Sequence, residues 1–173
     1  MDIYKQKFTQ LDQEIFSLLC KKAGQKLSQR EISQILEVSP TAIGKAIKRT
    51  GSILEIEKTR TSNLVSLNDK AKKIKMVENL RQLYISGLAD HLEEKFAGAT
   101  IILFGSYSRG EDSVRSDIDI AVIGRKQKKS DLDVYEKALE RKININFYDD
   151  WNIDRHLRNN ILNGIVIAGS VDL

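Results

Sequence analysis

The sequence predicts an α+β chain of two domains. Apolar residues recur at helical spacing over residues 10–50, the pattern changes to strand alternation after Gly51, and short buried-strand patterns separated by turn residues fill the stretch after residue 98. A long helical pattern lies between, so the boundaries read as 1–68, 69–97 (a connecting helix) and 98–173. A length of 173 residues, 41% hydrophobic, is enough for two small cores.

Composition excludes several classes. No run approaches the roughly 18 apolar residues of a membrane span, and no signal-peptide pattern opens the chain, so no membrane partner is expected. Cys20 is the only cysteine, which forbids an internal disulfide and a cysteine-rich zinc finger and suits the reducing cytoplasm. Five Phe, five Tyr and one Trp are too few for an aromatic RNA platform. Charge is uneven. Residues 1–75 hold 15 Lys and Arg against 8 Asp and Glu, whereas the rest hold 13 against 16, which suggests different partners for the two parts.

The first helix places Leu11, Ile15, Leu18 and Leu19 on one stripe over residues 10–23. Ser28 and Glu31 then form a capping box, with Leu27 and Ile32 at the staple positions. That second helix should bury Ile32, Ile35 and Leu36 and break at Glu37-Val38. Ser39 caps a third helix, Pro40 takes its first position, and Ile43, Ala46 and Ile47 face inward. After Gly51, Ile53–Glu57 and Asn63–Leu67 read as a hairpin around the basic turn Lys58–Ser62. Residues 69–96 read as one long helix with Ile74, Val77, Tyr84, Leu88 and Leu92 near heptad spacing, able to pack on the second domain or pair with a second chain, though Gly87 weakens a coiled coil.

Three helices followed by a hairpin resemble a winged helix-turn-helix over residues 8–68. The resemblance implies double-stranded DNA as a partner. Lys45, Lys48 and Arg49 on the third helix, with Lys58 and Arg60 in the wing, stand where phosphates would lie, and Thr41 and Ala42 where base contacts would be made.

In the second part, Ile101–Phe104 reads as a strand entering a turn at Gly105-Ser106, and Asp117–Ile123 as a strand of strict alternation at its start. Residues two apart on a strand share a face about 6.6 Å apart at the backbone. Asp117 and Asp119 therefore project together, and a divalent cation such as Mg²⁺, which takes one or two carboxylates plus phosphate oxygens, relieves their repulsion. Gly105 lets a ligand approach the backbone, Ser106 offers a hydroxyl and an N–H, and Arg109 follows one turn later. These parts suit a metal-bound triphosphate, without the Walker pattern.

Phe104-Gly105-Ser106-Tyr107-Ser108-Arg109-Gly110 followed by Ser116-Asp117-Ile118-Asp119-Ile120 resembles the signature of the polymerase-β-like nucleotidyltransferases, nearest to their minimal prokaryotic domains, over about residues 98–169. The resemblance implies a mixed sheet flanked by helices. It also implies Mg²⁺ (or Mn²⁺) on Asp117 and Asp119, and an NTP held by Gly105, Ser106, Arg109 and Ser116. The implied reaction is attack of an acceptor hydroxyl on the α-phosphate with release of pyrophosphate. The family's third carboxylate falls on Ile143–Tyr148, where Asn144 is the nearest equivalent and Asn146 the next. Asn144 can offer a metal one neutral oxygen but neither a charge nor a base.

Other candidates are weaker. Asp150 reads as a helix cap or a replacement third ligand, and Arg125–Lys129 as a solvated loop or a polyanion contact. Two functions are therefore expected: a nucleotidyltransferase with a DNA-binding domain, or a non-catalytic DNA-binding regulator or antitoxin-like protein. In the second case the transferase-like part would sense a nucleotide or grip a toxin or another protein. A homodimer is compatible with both.

Overall fold

The computed structural model describes residues 7–60, 62–127 and 130–172. The chain divides into two compact units, Met1–Lys75 and Met76–Leu173. Both mix helix and sheet, as the α+β reading expects. Among the described residues, no helix is long and apolar enough to cross a membrane.

In the first unit, α1 (Gln10–Lys21) opens with a capping box between Thr9 and Asp12. The pair β1 (Leu27–Ser28) and α2 (Gln29–Leu36) follows, and Ser28 and Glu31 form their expected reciprocal box, with bonds of 3.1 and 2.7 Å. Ser39 caps α3 (Pro40–Thr50). Then come β2 (Leu54–Lys58) and β3 (Asn63–Leu67), and the sheet order is β1-β3-β2, antiparallel throughout. Ile15, Leu19, Ile32, Ile43, Ile47, Ile53 and Val65 fill one core, with Cys20 buried among them.

Three local expectations change. Ile35 is 50% exposed, because the short α2 meets its neighbours along a stripe narrower than one helical face. Ile53 belongs to a 3-10 turn, Gly51–Ile53, so the strand begins at Leu54 and takes in Lys58. The single long helix is two, α4 (Lys72–Ile85) and α5 (Leu88–Lys95), with Gly87 between them at φ +78°, a left-handed value that ends a helix. Val77 and Tyr84, expected on its apolar stripe, are exposed.

The second unit continues with β4 (Thr100–Phe104), α6 (Gly105–Arg109), β5 (Ile118–Ile123), α7 (Asp133–Leu139), β6 (Ile143–Tyr148), α8 (Arg155–Leu162) and β7 (Ile165–Ala168). The sheet order is β6-β5-β4-β7; β5 and β6 run parallel, and the other pairs antiparallel, which makes it mixed. Leu103, Ile118, Ile120 and Val122 pack on one face with Leu88, Leu92 and Leu139. Ile102, Phe104, Ala121 and Ile123 pack on the other with Ile161 and Leu157 of α8. The strand directions bring the end of β4 and the starts of β5 and β6 to one edge of the sheet.

Candidate functional site

That edge collects the acidic pair. In register, Asp119 lies between Phe104 on β4 and Asn144 on β6. Asp117 is exposed just ahead of β5, and Asp119 is half-buried. Gly105 has φ +77°, and a Cβ built there would stand 2.5 Å from Asp119 Oδ2. The sequence suggests that Gly105 leaves room for a ligand; the group that occupies this room is the carboxylate of Asp119 itself. Ser108 donates to the Gly105 carbonyl at 2.9 Å and so pins the turn, a role no motif announced.

Asn144 donates its Nδ2 to Asp117 Oδ2 at 3.0 Å, so the amide bonds the carboxylate of the pair. Asn146 pairs with Ala121, one step farther along the same face. Asp150 does not reach the pair. It lies two residues beyond Tyr148, the far end of β6, and that end is itself about 13 Å along the strand from Asn144 at 3.3 Å per residue. Its carboxylate accepts the Asn152 N–H, and the cap of α8 is Asp154, which accepts from His156 and Leu157. The third-ligand reading of Asp150 is thereby overturned.

The other anion-binding candidates have protein partners. Ser116 Oγ accepts the Ser113 N–H at 2.9 Å and closes the turn before Asp117. Arg109 donates to Glu111 at 2.8 Å and to Asn160 on α8 at 3.2 Å. Ser106 is half-buried in the first turn of α6, which no side chain caps. Five residues make too short a helix for much dipole, so any attraction to an anion there is that of local N–H groups.

Residues 87–171 match the family model described as Polymerase beta, Nucleotidyltransferase. They carry the whole acidic edge. No curated protein and no solved structure matches the chain. The matched stretch runs from α5 to β7, somewhat more than the motifs alone cover.

Within the second unit, a buried network that the sequence did not signal joins segments near the site. Asn79 donates to the Tyr107 carbonyl at 2.9 Å and to Asp112 Oδ1 at 2.7 Å. Arg141, just before β6, donates to Asp112 Oδ2 at 3.4 Å. Its members lie far apart in sequence, so no local spacing could reveal them. Beside it, Lys142 bonds Glu136 at 2.6 Å. That hydrogen bond first, then the fields of Glu136, Asp133 and Asp117, holds its ammonium above the usual lysine range.

The donor set can be tested against a divalent ion. Among the described residues no group of three or more His, Cys, Asp or Glu converges. Two carboxylates at one edge, with Asn144 as a neutral third group, still fit Mg²⁺, which completes its shell with water and phosphate oxygens. They do not supply the charge of a three-carboxylate centre.

In the first unit, Thr41, Lys45 and Lys48 are exposed on α3, and Ala42 is half-buried, with its N–H bonded to Ser39. Lys58 ends β2, and Arg60 is exposed in the hairpin turn, next to Thr61, which lies outside the described residues. Arg49 differs from the expectation. Its guanidinium donates to both oxygens of Asp12, at 2.7 and 3.2 Å, and its side chain is 47% exposed against 1% for Asp12. It locks α3 to α1. Glu55 and Glu57 are exposed on β2, and Glu57 pairs with Lys26, so the hairpin is less basic than its turn suggests. In the second unit, Arg125 of the basic run donates to the Ala97 and Gly124 carbonyls, while Lys128 and Lys129 lie outside the described residues.

Proposed function

We propose that the second unit transfers a nucleoside monophosphate from an NTP to an acceptor hydroxyl with Mg²⁺ or Mn²⁺, and that the first unit is a winged helix that binds double-stranded DNA. The observation that carries the reading is the convergence of Gly105-Ser106, Asp117, Asp119 and Asn144 on one sheet edge within the residues that match the family model. Asp117 and Asp119 would hold the ion. The Ser106 hydroxyl and the uncapped amides of α6 would take phosphate oxygens. When bound, the ion supplies charge neutralisation at the triphosphate.

The acceptor oxygen bonds to the α-phosphorus, the bond from that phosphorus to the oxygen bridging to the β-phosphate breaks, and pyrophosphate leaves with that electron pair. The acceptor proton passes to water, since Asn144 has no basic form. Ser116 and Ser113 keep Asp117 in place, and Asn144 orients its carboxylate.

Asn144 also favours a second reading, a DNA-binding regulator that senses a nucleotide or grips a protein partner without turnover. Incubating the full chain with each α-labelled NTP, Mg²⁺, nucleic acid and a protein extract separates the two. Label transfer that Asp119→Asn abolishes supports the enzyme; saturable binding without transfer supports the regulator.

A further inference from the structure

Beside the acidic pair lies a cleft of about 550 Å³, lined by Ser116 and Asp117 but by none of Gly105, Ser106 and Arg109. Its far walls are α7 and residues 140–142, which contribute Lys137, Arg141 and Lys142, while Arg115 lines the near side. Lys142 is spent on Glu136, whose second oxygen accepts the Ile143 N–H at 3.0 Å. Arg115 and Lys137 are exposed, and among the described residues neither side chain has a hydrogen bond or ion pair. Arg141 is 5% exposed; its Nη1 donates to the Glu140 carbonyl and its Nη2 to Asp112, but among the described residues its buried Nε–H has no acceptor. A buried donor left unpaired is costly, and an acceptor atom brought within reach would relieve that cost. Of the lining acids, Glu136 is paired and Asp117 belongs to the metal edge. Asp133 and Glu140 also line the cleft, and Arg141 already shares its charge with Asp112, so Arg115 and Lys137 are the lining cations left without a bond among the described residues.

We propose that this cleft receives the acceptor, and that the acceptor carries a phosphate next to its attacking hydroxyl. Arg115, Arg141 and Lys137 take the phosphate, since guanidinium groups match its oxygens in geometry and charge. The hydroxyl then lies toward Asp117, which the cleft shares with the acidic pair. The proposal rests on the transferase reading, but phosphate binding in the cleft needs no NTP.

The test is NMR on the full ¹⁵N-labelled chain, following the Arg141 and Arg115 Nε–H signals in EDTA. Inorganic phosphate is titrated first, then a dinucleotide with a free 3′-hydroxyl. Saturable shifts at both signals are expected. The Arg115→Gln/Lys137→Gln double variant, altered only at exposed positions, should bind roughly tenfold more weakly. Tighter binding of the dinucleotide identifies a strand end as the source of the phosphate, and equal binding identifies a small phosphate ester. An unmoved Arg141 signal, or equal shifts in the double variant, overturns the proposal. Adding NTP and Mg²⁺ to the same samples keeps the failures apart. NTP binding with a silent cleft refutes the acceptor site alone; a responding cleft with no NTP binding refutes the transferase reading on which it rests.

Discussion

At Gly105 two requirements coincide, a positive φ and the absence of a Cβ that would meet Asp119 Oδ2. Gly105→Ala should therefore cost about 1–3 kcal/mol in stability and weaken Mg²⁺-dependent nucleotide binding, read by denaturant unfolding and titration. Unchanged values in both would mean the turn relaxes freely. Asn144→Asp replaces the donor to Asp117 with a third carboxylate. Without metal the variant should melt at a lower temperature than the wild type. Mg²⁺ should restore the difference and bind on the order of tenfold more tightly, because affinity rises with ligand charge. A melting temperature that ignores Mg²⁺ would count against a metal site there. Asp12 illustrates a structural charge. Burial would raise its pKa, but Arg49 and then the N–H and hydroxyl of Thr9 outweigh burial and hold it below the usual carboxylate range. A carboxyl depressed in the fold contributes stability that is present above its unfolded pKa, about 4, and is lost as pH falls through the folded value. Arg49→Met should thus lower stability at neutral pH and flatten the stability loss below about pH 4, measured by urea unfolding across pH. An unchanged acid profile would assign Arg49 to the surface.

At the scale of elements, α3 and the hairpin carry the prediction for DNA. Lys45→Ala/Lys48→Ala should reduce the salt dependence of DNA binding by about 0.9 log unit per log unit of salt for each phosphate contact removed. A salt slope equal to the wild type's would remove α3 from the interface. Much of this organisation was legible because it is local. The Ser28/Glu31 box and the Ser39-Pro40 start are signals of four residues or fewer, and the structure keeps both. The Thr9 box was missed because Asp12 stands where Glu or Gln is the usual mark. The two-residue β1 is visible only through its pairing with β3, a long-range contact. Arg49 looked like a groove contact because its partner, Asp12, lies 37 residues away. The Asn79, Asp112 and Arg141 network was illegible for the same reason. In the site, alternation gave Asp117 and Asp119 a common face, whereas the bond from Asn144 depends on the parallel register of β5 and β6.

For the whole molecule, the division of charge follows the division of structure. The basic surplus of residues 1–75 coincides with the first compact unit, Met1–Lys75, and the acidic excess with the second. A basic unit suits a polyanion. On the proposed reading, an acidic unit that handles a triphosphate needs a cation to carry it, and Asp117 and Asp119 would hold that cation. The most direct measurement is calorimetric titration of the full chain with a non-hydrolysable NTP, in Mg²⁺ and then in EDTA, for the wild type and Asp119→Asn. The account predicts saturable binding in Mg²⁺ that EDTA removes and that the variant lacks while it melts at nearly the wild-type temperature. Failure of all four nucleotides to bind, or equal binding in EDTA and in Asp119→Asn, would contradict it.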